Sequence, residues 1–296
     1  MMKQILLLTL LIGVLCGCKP GKGTASGDSK PTVAVTIEPQ RYFAQAIAGD
    51  KFEVVSMVPK GSSPETYDPI PQQLVELSAC EAYLRIGYIG FEQVWMDRLL
   101  KNTPHLQVFD TSAGIDFILS NAPHTHGPEG HDAHLHSVEP HVWTSPANAL
   151  LIAGNTYKAF CAIDKANEAY YFARYDSLCH RIQHLDSLIC ERLSIPTASK
   201  AFLIYHPTLS YFARDYGLRQ VPIEEDGKEP SPAYLKAVID LCATEHIRTI
   251  FVQPEFDQRN AETIARQTGT TVTSINPLSY DWEGEMLRIT ETLAKN

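Results

Sequence analysis

The chain lacks most of the features that would place it in a common functional class. Its apolar run at 5–15 is too short to cross a bilayer, which takes about 20 residues. No Cys-x-x-Cys is present, which argues against a thiolate zinc site. Lys and Arg are scattered and the net charge is −9, so the basic face that nucleic acid requires is missing. There is no His-Glu-x-x-His, no Gly-x-Ser-x-Gly elbow, no Gly-rich phosphate loop and no solenoid-type repeat. The five cysteines after Cys18 (Cys80, Cys161, Cys179, Cys190, Cys242) are odd in number and widely spaced, unlike a disulfide framework. Cys179 and Cys190 fall about 16 Å apart on one expected helix, well beyond the roughly 7 Å that a disulfide spans. The five read as buried small apolar residues.

What the chain does have begins with histidine. Six of its 11 histidines fall between His124 and His141. Neutral imidazole is a common ligand for late first-row metals, and such a tract offers several together. His124, His126, His131, His134 and His136 sit among Gly, Pro, Asp and Glu, as in a loose loop (124–137). A solvated polar loop without a specific role is the plain alternative. His141 differs, because Val-Trp and a helix start follow it.

The N-terminus reads as a targeting segment. Lys3 precedes the apolar run, which ends in Leu15-Cys16-Gly17-Cys18, similar to a bacterial lipobox with Cys18 as the lipidated first mature residue. An ordinary secretory signal is the alternative. Residues 19–30 are small and polar, as in a flexible tether. The expected location is outside the cytoplasm, on a membrane surface, through a lipid anchor.

Short β-rich runs at 32–37, 53–58, 82–86, 201–205, 249–252 and 271–275 alternate with helical patterns at 41–48, 71–80, 231–242 and 261–267. This alternation predicts βαβ units and parallel sheets. Between the two sets, Ser145-Pro146 opens a helix to about residue 163, and Asp164 caps a longer one to about residue 193. In that helix, about 40 Å long, Tyr171, Tyr175, Leu178, Ile182, Leu185 and Ile189 form one continuous apolar stripe. The predicted class is α/β: an N-terminal lobe (31–163), one long rigid linking helix (164–194) and a C-terminal lobe (195–296). A coiled-coil dimer would also use such a stripe, but clear e/g charge pairing is missing, and a monomer is expected.

Three segments put a potential ligand beside proline: Pro64-Glu65-Thr-Tyr67-Asp68-Pro69, Glu139-Pro140-His141-Val142-Trp143, and Tyr205-His206-Pro207. Glu65 and His206 each follow an expected strand, where open α/β sheets bind ligands. Proline restrains these loops, so their side chains lose less entropy on binding. The remaining histidines lie elsewhere; His180 and His184 read as surface residues of the long helix.

These segments, with His206-Pro207-Thr-Leu-Ser-Tyr211-Phe212-Ala-Arg-Asp-Tyr216-Gly217-Leu218, Gly227-Lys-Glu229-Pro230-Ser231-Pro232 and Asn276-Pro277-Leu278, resemble the metal-binding substrate-binding proteins of ABC importers. The resemblance covers essentially the whole mature chain and is nearest to the zinc-uptake branch, where a His-rich loop often precedes His-Val-Trp. It implies two α/β lobes bridged by a rigid helix, a metal in the cleft, and a membrane permease as partner. By position His141 and His206 match two ligating histidines, and Glu65 stands where the family has a third. Asn276 stands where some members have a ligating Asp, so the fourth ligand is left open among Asn276, Asp281, Glu224, Glu225 and water. Zn2+ is the expected cargo; the carboxylate swap keeps Mn2+ and Fe2+ in play. A metal-dependent adhesin and, more remotely, an exported zinc hydrolase with a two-His-one-Glu site are the other readings.

Overall fold

The computed structural model describes residues 30–120, 137–225 and 227–295. The tether, Cys18 and the five histidines of the 124–137 loop lie outside the described residues. The first lobe runs β1 (Thr32–Val35), α1 (Glu38–Ala48), β2 (Glu53–Ser56), α2 (Pro71–Ser78), β3 (Ala82–Arg85), α3 (Gly90–Asn102) and β4 (Gln107–Asp110). A small antiparallel pair, β5 (Leu119–Ser120) and β6 (Ser137–Val138), closes the ends of the histidine-rich segment against each other. Then come α4 (Pro146–Ile163) and α5 (Glu168–Leu193). The second lobe comprises β7 (Ala201–Ile204), α6 (Ser210–Asp215), β8 (Arg219–Pro222), α7 (Pro232–Thr244), β9 (Thr249–Val252), α8 (Arg259–Thr268), β10 (Thr271–Ser274) and α9 (Trp282–Ala294).

Each lobe holds a four-stranded parallel sheet, ordered β2-β1-β3-β4 and β10-β9-β7-β8. Read from the other edge, the second is β8-β7-β9-β10, so both lobes share one topology. In each, the chain reverses its direction of winding between the two central strands, β1/β3 and β7/β9. Ligands of open α/β sheets bind in the crevice beyond the carboxyl ends of such a pair.

The predicted spine is α5. Its Tyr171, Leu178, Ile182, Leu185 and Ile189 are all buried, while Tyr175 stacks on Tyr157 at 5.0 Å between centroids. It packs on α1 and α4 of the first lobe and on α9 of the second. One apolar core therefore runs through both lobes, from Val33 and Phe43 to Phe212 and Leu293. Truncating any of its large side chains to Ala would cost about 2–5 kcal/mol.

Ser145 caps α4 as its position predicted, accepting the Asn148 N–H at 3.1 Å. Asp164 does not cap α5: a short 3-10 turn (Lys165–Asn167) intervenes, and its carboxylate accepts the Tyr171 hydroxyl at 2.8 Å. The expectation that all five cysteines are buried also fails. All are free, but only Cys80 and Cys242 are buried; Cys161 and Cys179 are half-buried and Cys190 is exposed. These three sit at the margins of the apolar stripes, where helix periodicity leaves a small side chain at the waterline. His180 and His184 are exposed, as expected.

Candidate metal centre

The loop carrying Glu65 is fixed to the start of α3. The Phe91 N–H donates to Pro64 O at 2.8 Å, Tyr67 stacks on Phe91, and the Trp95 indole donates to Asp68 at 3.0 Å. Gly90 lets the loop come this close: a Cβ there would meet Glu65 Oε2 at 2.7 Å and its backbone at 3.0 Å. Pro64-Glu65-Thr-Tyr-Asp-Pro thus anchors its backbone through the residues around Glu65 and leaves that carboxylate exposed at the mouth of the cleft.

The His141 segment clasps the two lobes. The Trp143 indole donates to Pro277 O at 2.9 Å, the Trp282 indole donates to Trp143 O at 2.7 Å, and the Tyr211 hydroxyl donates to Glu139 O at 2.8 Å. His141 itself is buried, and its Nδ1 bonds the Glu139 carboxylate. Burial opposes charge on both partners, but their mutual contact outweighs it. His141 is held above the usual imidazole range and Glu139 below the usual carboxylate range.

His206 follows β7. Gln253, at the end of the adjacent β9, brackets it by donating to His206 O at 2.6 Å and to the Thr208 hydroxyl at 3.0 Å. The ring stacks on Phe256 at 5.3 Å, and its Nδ1 meets Glu224 at 2.8 Å. Its Nε2 is buried and has no hydrogen-bond partner among the described residues. Carboxylates on Nδ1 of both histidines fix the tautomer and point the other nitrogen's lone pair away, as metal sites require.

The two rings stand 5.2 Å apart between centroids at 75°. They line one cavity of about 30 Å³ together with Glu65, Glu255, Gln253, Thr208 and Trp143. That volume suits one ion with a water or two; an organic ligand needs some 300 Å³ or more. Among the described residues, no three His, Cys, Asp or Glu side chains are gathered closely enough to hold an ion as they stand. Glu139 and Glu224 are engaged by the histidines, and Glu65 is turned toward Gly90.

Asn276 and Asp281 do not join this cavity. They line a larger neighbouring one of about 340 Å³. Asn276 Oδ1 accepts the Leu278 N–H at 3.1 Å, and Asp281 is the N-cap of α9, accepting the Gly284 N–H at 3.2 Å. Both side chains are thus engaged by backbone N–H groups beside the second cavity. Glu224 orients His206, and the Glu225 carboxylate accepts the Ser231 N–H at 3.1 Å. Sequence reading missed Glu139, Gln253 and Glu255. Glu139 stands two residues before His141, and the other two follow β9, which meets His206 only through its pairing with β7.

Two parallel lobes on a shared helix, with a histidine from each at the cleft, describe a substrate-binding protein for a metal ion. The profile of the family "Zinc-uptake complex component A periplasmic" matches residues 33–296, and the chain belongs to that family. It is 26% identical over 277 residues to the manganese ABC transporter substrate-binding lipoprotein PsaA of Streptococcus anginosus, covering 90% of this chain and 86% of the relative. To the high-affinity zinc uptake system protein ZnuA of Bacillus subtilis it is 26% identical over 274 residues, covering 90% and 85%. A crystal structure of a ZnuA deletion mutant with zinc bound superposes with a TM-score of 0.81 at 32% identity, covering 90% of this chain and 97% of that one. The relatives are substrate-binding transport proteins of both zinc and manganese systems.

Proposed function

We propose that this protein captures a divalent metal, zinc first, outside the cytoplasm and delivers it to the membrane permease of an ABC importer. The observation that carries the reading is the buried, unpartnered Nε2 of His206, facing the same ion-sized cavity as His141. A desolvated imidazole nitrogen without a partner is costly unless something arrives to fill it. Glu65 is the third donor, brought in from the first lobe. Two imidazoles suit zinc better than manganese, while each added carboxylate oxygen moves the preference toward Mn2+ or Fe2+. Manganese is therefore the second reading, supported by Glu65 at the cavity.

Binding requires no chemistry on the cargo. In this reading Cys18 carries the lipid anchor, and the 124–137 histidines collect ions beside the cleft. The test is competitive calorimetric titration of the metal-free protein with zinc and manganese. His141→Ala, His206→Ala and Glu65→Ala should each weaken zinc binding. Removing 124–137 should lower the number of ions bound and spare the tight site. Unchanged affinity in all three variants would refute the assignment.

A further inference from the structure

The second lobe supplies one carboxylate that the reading above does not use. Glu255 lies just beyond β9, and His206 just beyond β7. These are the two central strands of that sheet, so the two residues flank the crevice where an open α/β sheet binds its ligand. Glu255 lines the same cavity as His141, His206 and Glu65. It is half-buried and makes no ion pair among the described residues. Burial pushes its carboxyl above the usual range, opposed by its own N–H and by His206. A half-buried, unpaired carboxylate beside an imidazole nitrogen that also lacks a partner is a pair of vacant donors facing one space.

We propose that Glu255 is the fourth metal donor, closing from the second lobe with His206 while Glu65 and His141 close from the first. The proposal rests on the metal-capture reading. It replaces Asn276 and Asp281, which line the other cavity, and it makes the donor set two nitrogens and two carboxylate oxygens. Such a set is harder than a three-histidine one. Glu255 then acts as a selectivity determinant: as the second carboxylate of the set, beside Glu65, it lets manganese compete with zinc. Glu255→Gln keeps the shape and removes the charge.

The test is competitive titration of the full mature protein with zinc and with manganese, for Glu255→Gln, Asp281→Asn and His206→Ala. Metal-free melting is followed in parallel, and a crystal structure of the zinc-loaded protein locates the donor atoms. Glu255→Gln should weaken zinc by at least about tenfold and manganese by more, raising the zinc-to-manganese ratio, with melting unchanged. Asp281→Asn should leave both affinities alone. Wild-type zinc affinity in Glu255→Gln, with His206→Ala impaired, overturns the role of Glu255 and leaves the capture site standing. Wild-type affinity in both variants overturns the site itself. If Glu255→Gln melts early, the zinc-loaded wild-type structure decides: a Glu255 oxygen at about 2.0–2.2 Å from the zinc supports the proposal, and a Glu255 carboxylate away from the ion overturns it.

Discussion

The two lobes share one strand order yet use its crevice in opposite ways. In the second lobe the space between the ends of β7 and β9 holds His206, Gln253 and Glu255 and opens on the ion-sized cavity. In the first lobe the corresponding space between β1 and β3 is closed by Glu92 of α3. Its carboxylate accepts the Ile86 N–H at 3.1 Å and also bonds the Thr36 hydroxyl and the Gly87 N–H. The first lobe therefore reaches the cavity through loops, with Glu65 after β2 and His141 after β6. Shared topology fixes where a site can be; a single buried side chain decides whether it is used.

That contrast predicts that substitutions in the second crevice cost affinity, whereas those in the first cost stability. The largest effect is expected for His206→Ala and His141→Ala. If the ~10–16 kcal/mol typical of zinc sites is shared over four donors, each is worth roughly 3 kcal/mol, on the order of 100-fold in affinity. Competitive titration would measure it, and metal-free melting should hardly change for His206→Ala.

Glu92 comes next, through pH. Burial pushes its carboxyl up to about 7, against the hydrogen bonds that Thr36, Ile86 and Gly87 donate to it. A carboxyl that binds its proton more tightly folded than unfolded stabilises the fold at low pH. That contribution is fully present below the unfolded value near 4.5 and is lost as pH rises through about 7. The loss is about 3 kcal/mol over the window. Urea unfolding of the metal-free protein at several pH values should show it, and Glu92→Gln should flatten that part of the slope. Zinc affinity of Glu92→Gln should match wild type; a large loss there would erase the contrast between lobes.

A smaller effect is expected at Glu139. Replacing a carboxylate that orients a ligating histidine costs about 10–100-fold in metal affinity. In the metal-free protein His141 is held above the usual imidazole range, after burial is overcome by Glu139. Protons therefore compete with metal at a pH above that range, and zinc binding should weaken as pH falls through it. Glu139→Gln should move that onset to lower pH, visible in titrations repeated across pH.

Most of the architecture was legible because it is written in periodicity. The stripe on α5 and the apolar runs of β1, β3, β7 and β9 announce their burial directly. The edge strands β4 and β8 did not, because Gln107 and Asp110, or Arg219 and Pro222, bound only two inward residues. Helix α9 was hidden for a different reason. Asp281 with Glu283 and Glu285 in the first turn is a helix start, but Asp281 also resembles a ligand. His141, His206 and Glu65 were legible as prolines beside donors, and the structure brings all three to one cavity. The place of Glu255 in that cavity was not, since residues 253–255 meet residue 206 only through the pairing of β7 with β9.

The central claim is that one ion binds between His141 and His206. It is tested most directly by competitive zinc titration of the metal-free protein lacking 124–137, beside the same protein carrying His206→Ala. The account predicts one tight zinc in the first and at least about 100-fold weaker binding in the second. Equal affinity in the two, or no tight zinc once the loop is gone, would contradict it.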